Sequence, residues 1–231
     1  MQILKEASTL ATYISRHGLM DILPTQVIEA CELCRYSRDE IVLVADTVMD
    51  YFYFFIKGKL KVFQIHDNGK AFLIQFYSSF DSLGEVELTT EIATSCSVSA
   101  IEVSDLIRVP MNVLKEHALN HPPFLLYTAR SLATKLIVAD RHHASNLLYP
   151  VKNRLASYLR AHAYESDHIL LKESLSDVSE YIGTTYRQLH RAFQQLIEDE
   201  IILRSNKRIK IIDADRLSEL AGTIYGDSYA E

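Results

Sequence analysis

The sequence predicts an α+β chain in three successive parts: a β-roll of the jelly-roll kind, one long helix, and a small helical domain ending in a hairpin. Three observations predict it. Residues 36 to 110 are dense in β-branched and aromatic residues broken by turn signals. Residues after Pro110 turn helical, with an apolar seam. Residues 174 to 212 hold two short helical patterns around a glycine, then two short apolar strands. The expected ranges are 1–123 for the N-terminal helices and roll, 124–149 for the long helix and 150–231 for the C-terminal domain.

The 231 residues suffice for one large or two small cores. A formal net charge of -6 argues against general affinity for polyanions, so any contact with nucleic acid needs a local basic patch. Three cysteines, Cys31, Cys34 and Cys96, cannot make a paired disulfide framework, which suits a reducing compartment. No signal peptide and no apolar run of membrane-spanning length is evident, so a soluble cytoplasmic protein is expected.

Residues 1 to about 35 read as weakly helical: Leu10, Tyr13, Ile14 and His17 share a face, Gly18 stops that helix and Pro24 suits the start of another. The run "EIVLVADTVMDYFYFFIKGKLKVFQIHDNGKAFLIQFY" comes next. Gly58 interrupts it, and Asp67 to Gly69 carry a hairpin-turn signal. Two more strands are expected around Glu102 to Asp105. Several short strands with turns between them suggest a closed sheet.

In the long helix, Leu132, Leu136, Ala139, His143 and Leu147 fall at spacings of 4, 3, 4 and 4. That is close to a heptad seam and suits pairing of two such helices in a dimer. A helix packed on its own roll would show the same pattern, and periodicity does not separate the two. Pro150 breaks the helix because its ring clashes with the preceding turn. Val151, Leu155 and Leu159 mark the next helix.

The C-terminal pattern is the most informative. Ser174 and Asp177 have the spacing of a capping box, and Val178, Tyr181 and Ile182 form an apolar stripe. Gly183 supplies the tight turn, and Thr184 or Thr185 can cap the next helix. That helix has two faces: Leu189, Phe193, Leu196 and Ile197 for packing, and Arg187, His190, Arg191 and Gln194 on another side, with Tyr186 at its start. The string "IILRSNKRIKIID" then forms a hairpin bearing Arg204, Lys207, Arg208 and Lys210. From Gly183 to Lys210 there are six Lys or Arg against three Asp or Glu, the acids gathered at Glu198 to Glu200. A capped helix, a glycine turn, a two-faced basic helix and a basic hairpin together make a winged helix-turn-helix for double-stranded DNA. Thr185, Tyr186, Arg187, Gln188, His190 and Arg191 are the candidate DNA-binding residues of this helix, whose N-terminal residues reach base edges in such a geometry; an arginine fork there can donate two hydrogen bonds to guanine O6 and N7. Arg204, Lys207, Arg208 and Lys210 would meet phosphates.

With these parts in place, the chain from about residue 10 to 215 resembles the Crp/Fnr family of bacterial transcription regulators. The resemblance is carried by "FIKGKLKVF" with "DNGK", "GEVEL" at 84 to 88, "VPMNVLKEHALNHPP", "NRLASYL" and "YIGTTYRQLHRAF". The strings "GEVEL", "VKNRLA" and "YIGTTYRQL" are similar to its YeiL-type subgroup. The resemblance implies a cyclic-nucleotide-binding-like β-roll, a dimerisation helix, a homodimer on a near-palindromic operator, and RNA polymerase as a partner. It matches Arg191 to the arginine shared by cyclic-AMP and Fnr-type readers. Arg187 stands where those relatives carry a glutamate that recognises cytosine, so a different operator is expected.

The effector positions implied are Gly84, Glu85, Thr94, Ser95 and Asp140. Relatives that bind cyclic AMP follow the Gly-Glu pair with Arg-Ser, which here reads Thr94 and Ser95, and their adenine-contacting pair becomes Ala139 and Asp140. A cyclic phosphate would lack its charge-assisted partner. Cyclic AMP is therefore not expected, the effector is left unknown, and Glu85 is equally suited to a structural part, capping a turn. Cys31-x-x-Cys34 with Cys96 falls short of the four thiolates a cubane iron-sulfur cluster ordinarily needs, so no cluster is expected. His117 and His121 are four apart, but Pro122 and Pro123 end that helix and no further ligand is suitably placed, so no metal is expected. No catalytic motif occurs, and no enzyme is expected. A sensing module of ligand or redox type, whose C-terminal helices bind a protein partner, is the alternative.

Overall fold

The computed structural model describes residues 1–65, 69, 71–163 and 167–225. Asp67 and Asn68 of the hairpin signal, and Lys70 beside it, lie outside the described residues. Contacts divide the chain into two compact units, Met1–Lys135 and Leu136–Glu231.

The first unit opens with β1 (Gln2–Leu4), α1 (Ala7–Arg16), α2 (Leu19–Ile22), α3 (Thr25–Glu29) and β2 (Glu32–Tyr36). The helices fall where Gly18 and Pro24 place them, but the stretch is not purely helical. β1 pairs antiparallel with β2, Ile3 opposite Cys34. Three residues give too short an alternation to be read as a strand alone.

The roll continues with β3 (Ile41–Leu43), β4 (Tyr51–Lys57), β5 (Leu60–Ile65), β6 (Ala71–Tyr77), β7 (Asp81–Leu83), α4 (Glu85–Thr90), β8 (Ser97–Ala100) and β9 (Ser104–Pro110). Two antiparallel sheets result, ordered β1-β2-β9-β4-β7 and β3-β8-β5-β6. β4 lacks the polar alternation of a one-sided strand because both of its faces are covered. Phe52 and Phe54 meet Phe124 and Tyr127 of the long helix at ring separations of 6.0 Å, whereas Phe55 meets Tyr77 on the other side. Gly84, at φ 113, starts α4; a Cβ there would lie 2.8 Å from Met49 Cε and 3.2 Å from Phe52 Cδ2.

After α5 (Met111–His117) comes α6 (Pro122–Leu148). It starts two residues before the expected Phe124, because a proline in the first turn has no N–H that the helix requires. α5 ends at His117, and the His121 N–H donates to Ala118 O in the next turn, so the two histidines do not share a helix. The division between the two units falls inside α6, between Lys135 and Leu136.

The second unit adds α7 (Val151–His162), β10 (His168–Leu170), α8 (Leu175–Tyr181), α9 (Tyr186–Glu198), β11 (Ile202–Ser205), β12 (Arg208–Ile211) and α10 (Ala214–Ala221). Its core gathers Leu155, Tyr158, Leu159, Val178, Ile182, Leu189, Phe193 and Leu196, all nearly inaccessible to solvent. The hairpin is one strand wider than expected: β10 joins β12, with Ile169 opposite Ile209. No helix among the described residues is long and apolar enough to cross a membrane.

Candidate nucleic-acid interface and roll pocket

Both helices of the C-terminal pair start on capping boxes. Ser174 Oγ accepts from the Asp177 N–H at 3.0 Å, and Thr185 Oγ1 accepts from the Gln188 N–H at 3.3 Å. Between them Gly183 sits at φ 62, a left-handed conformation that a side chain would strain. α9 buries Leu189, Ala192, Phe193 and Leu196 and exposes Tyr186, Arg187, His190, Arg191 and Gln194; Ile197, expected on the packing face, is half-buried, and Ala192 takes a buried place that the periodicity did not single out. Among the described residues, no carboxylate pairs with Arg187, Arg191, Lys207, Arg208 or Lys210. The acidic end of α9 is held elsewhere: Lys152 bridges to Asp199 and keeps its carboxyl below the usual range, while Arg216 Nη1 donates to Asp199 O at 2.9 Å.

Three of the expected contact residues are engaged within the domain. Thr185 forms the cap, and the Gln188 carbonyl is taken up by it, accepting from Thr184 Oγ1 at 2.8 Å and from the Thr185 N–H at 3.3 Å. The Arg204 guanidinium lies 4.2 Å from the Phe193 ring centroid, and its Nε donates to Asn206 O at 3.0 Å. Burial there draws its pKa down. Arg204 thus braces the hairpin against α9, a stacking use of arginine that spacing does not reveal.

The roll carries a buried polar cluster that the sequence did not disclose. Glu85 is 3% exposed, and its Oε1 accepts from Ser82 Oγ (2.5 Å), Ser131 Oγ (2.7 Å) and Lys135 Nζ (2.6 Å). Lys135 Nζ also donates to Ser82 O at 2.6 Å and pairs with Asp81 Oδ1 at 3.2 Å, while Tyr127 OH donates to Ser82 Oγ at 2.9 Å. Burial pushes both carboxyls up. For Glu85 the Lys135 charge and the three donors outweigh it, leaving the group below its ordinary value; for Asp81 burial prevails. Glu85 caps no turn: α4 has no side-chain cap, and the carboxylate binds the long helix instead. The signal that could have found its partners is the polar row Tyr127, Ser131 and Lys135, four residues apart on one face of α6.

Thr94 is buried, and its Oγ1 donates to Val44 O at 2.7 Å; Ser95 is exposed, 3.4 Å from Cys96 Sγ. Asp140 is exposed on the part of α6 that belongs to the second unit. Of the seam residues, Leu136, His143 and Leu147 are exposed and Leu132 and Ala139 half-buried. Burial raises the Cys31 thiol to about 12 and the Cys34 thiol to about 11, which disfavours thiolate chemistry at neutral pH.

His142, next to the seam histidine, is the buried one. It packs against Tyr181 and Tyr225 at ring separations of 4.3 and 5.1 Å. Burial, with a smaller contribution from His143, lowers it from 6.5 to about 4. The unfolded chain gains this proton as pH falls below about 6.5, whereas the folded chain resists until about 4. Stability from the neutral ring is therefore complete above that window and lost on descending through it. Relative to His142→Phe, the wild type should lose about 2 kcal/mol between roughly pH 7 and pH 5 in urea denaturation. Parallel pH profiles for the two proteins would refute this.

Family models match both halves in order: one described as a cyclic nucleotide-binding domain over residues 33–121, and one described as a Crp-like helix-turn-helix domain over residues 153–220. The chain is 26% identical over 208 residues to the regulatory protein YeiL of Escherichia coli O157:H7, covering 90% of this chain and 94% of that one. Its fold matches FixK2 from Bradyrhizobium japonicum with a TM-score of 0.72 at 20% identity, covering 83% of this chain and 98% of that chain. A CRP-family transcriptional regulator from Thermus thermophilus matches with a TM-score of 0.70 at 16% identity, covering 84% of this chain and 99% of that one. The chain belongs to the Crp/Fnr family and is a transcription regulator with a helix-turn-helix DNA-binding domain.

Proposed function

We propose that this regulator acts as a cytoplasmic, non-enzymatic homodimer that reads a near-palindromic operator without cyclic AMP. The observation that carries the reading is the exposed row Arg187, His190 and Arg191 on a capped helix, free of ion pairs among the described residues; Arg208 and Lys210 of the hairpin are likewise exposed and without a carboxylate partner there. Two such helices related by a dimer axis enter successive major grooves. Exposed Leu136, Ile137, Leu147 and Leu148 on α6 support the dimer, since apolar surface of this kind favours a partner. RNA polymerase enters as a partner through family membership.

Two features support independence from cyclic AMP. Glu85 Oε1 already holds three donors, so a ribose hydroxyl would compete there with Lys135 and two serines and is left only Oε2. Thr94, where such relatives place an arginine, is buried and bonded to backbone. The raised thiol pKa values likewise support Cys31 and Cys34 as packed side chains rather than cluster ligands.

Titrating a random-sequence duplex at two salt concentrations tests the reading. Affinity should fall steeply with salt. Lys207→Ala should weaken all duplexes alike and reduce the logarithmic salt slope by about 0.9 for each phosphate that the lysine neutralises in wild type, once in each half of the dimer. Weak, salt-insensitive binding would instead favour a protein partner for the C-terminal helices.

A further inference from the structure

We propose that Asn146 is a positioning residue for base reading: its side chain fixes the turn from which α9 departs. The proposal rests on the reading of α9 as the base-reading helix and adds the element that aims it.

The backbone offers no rigid path from α6 to the reading pair. Helical hydrogen bonding stops at Pro150, whose φ of -59 and ψ of 151 are extended. A side-chain path spans the break. The last turns of α6 sink into the second unit: His142 and Ser145 are buried, and Ser145 Oγ donates to Ile224 O at 2.7 Å. One turn on from His142, Asn146 Oδ1 accepts from Arg154 Nη1 and from Tyr225 OH, each at 3.2 Å. The same Arg154 nitrogen donates to Ile182 O, and to Gly183 O at 3.3 Å. These are the carbonyls that end α8. Asn146 Nδ2 stands 3.5 Å from Tyr181 O, and a Cβ on Gly183 would lie 2.9 Å from the Asn146 amide. The amide therefore rests directly on the turn and also orients the buried cation that holds it.

Two residues beyond Gly183, Thr185 caps α9. A shift of the turn moves the start of a stiff helix, and Tyr186, Arg187, His190 and Arg191 move with it. Base-edge hydrogen bonds tolerate only about 0.5 Å and 10–20° of error, whereas flexible lysine stems follow phosphates over a wider range. A change at Asn146 should therefore reduce discrimination between sequences and leave general affinity intact.

The test compares full-length wild type, Asn146→Ala and Asn146→Asp. The probes are the duplex that wild type selects from a random pool and a scrambled duplex of equal length, at two salt concentrations. Asn146→Ala should lose about tenfold in the ratio of the two affinities, an effect of about 1.4 kcal/mol, with scrambled-duplex affinity and salt slope unchanged. Asn146→Asp keeps the acceptor shared by Arg154 and Tyr225 and should return within about threefold of wild type. An unchanged ratio in Asn146→Ala, an equal weakening of both duplexes, or no recovery in Asn146→Asp overturns the proposal. A wild type that selects no sequence overturns the base-reading assignment and this proposal together; a selective wild type with a normal Asn146→Ala overturns only this one.

Discussion

Lys135→Met should destabilise the N-terminal unit by about 3 kcal/mol, the lower end of the range for removing one partner of a buried pair. The lower end applies because Ser82 and Ser131 would still donate to Glu85 after the ammonium is gone. The cost arises from a carboxylate left nearly inaccessible to water without its counter-charge, rather than from the worth of the pair itself. Replacing both partners, Glu85→Met with Lys135→Met, should accordingly recover most of the loss, since apolar side chains of similar volume tolerate such a site. Acid should narrow the gap as well. In wild type, Glu85 is held below its ordinary value and contributes stability that is lost as pH falls through its folded pKa; in the single variant, protonation relieves the penalty of the unpaired charge. Urea denaturation monitored by circular dichroism measures all three proteins. Equal midpoints for wild type and Lys135→Met would remove the cluster from any structural account of the roll.

Arg191→Ala should relax base preference by about 1–3 kcal/mol at one position of each half-site, and so by about 2–6 kcal/mol over a two-fold operator. The reason is geometric: Arg191 is exposed, lacks a carboxylate partner among the described residues, and lies one turn along α9 from Arg187. Its planar fork can therefore meet a base edge without first breaking an ion pair. Selection of duplexes from a random pool reads the effect as lost preference at two symmetry-related base pairs. The same consensus from wild type and variant would contradict the assignment of this helix face.

The elements legible in the sequence are those whose signal is local. α9 shows a 3.6-residue period with a cap three residues from its partner, and Gly183 marks the turn by its own backbone freedom. β4 reads as a strand from its aromatic run. The features that escaped depend on residues distant along the chain. Lys135 and Glu85 meet only because the roll closes against α6, 50 residues away. β10 becomes a strand only by pairing with β12, some 40 residues later. Arg204 looks like a phosphate contact in the sequence, until the Phe193 ring is found beneath it. His143 is the histidine that the seam spacing singles out, but one residue is about 100° of helix, and that rotation puts His142 in the interior instead.

α9 is secured at both ends, by the Arg154-bound turn before it and by Lys152 and Arg216 on Asp199 after it. A beam clamped at two points bends little, so any residual misfit between this surface and a given duplex must be absorbed by the nucleic acid. Rigid base-pair steps will then be disfavoured even where no side chain reaches, and pliable pyrimidine–purine steps will be favoured there.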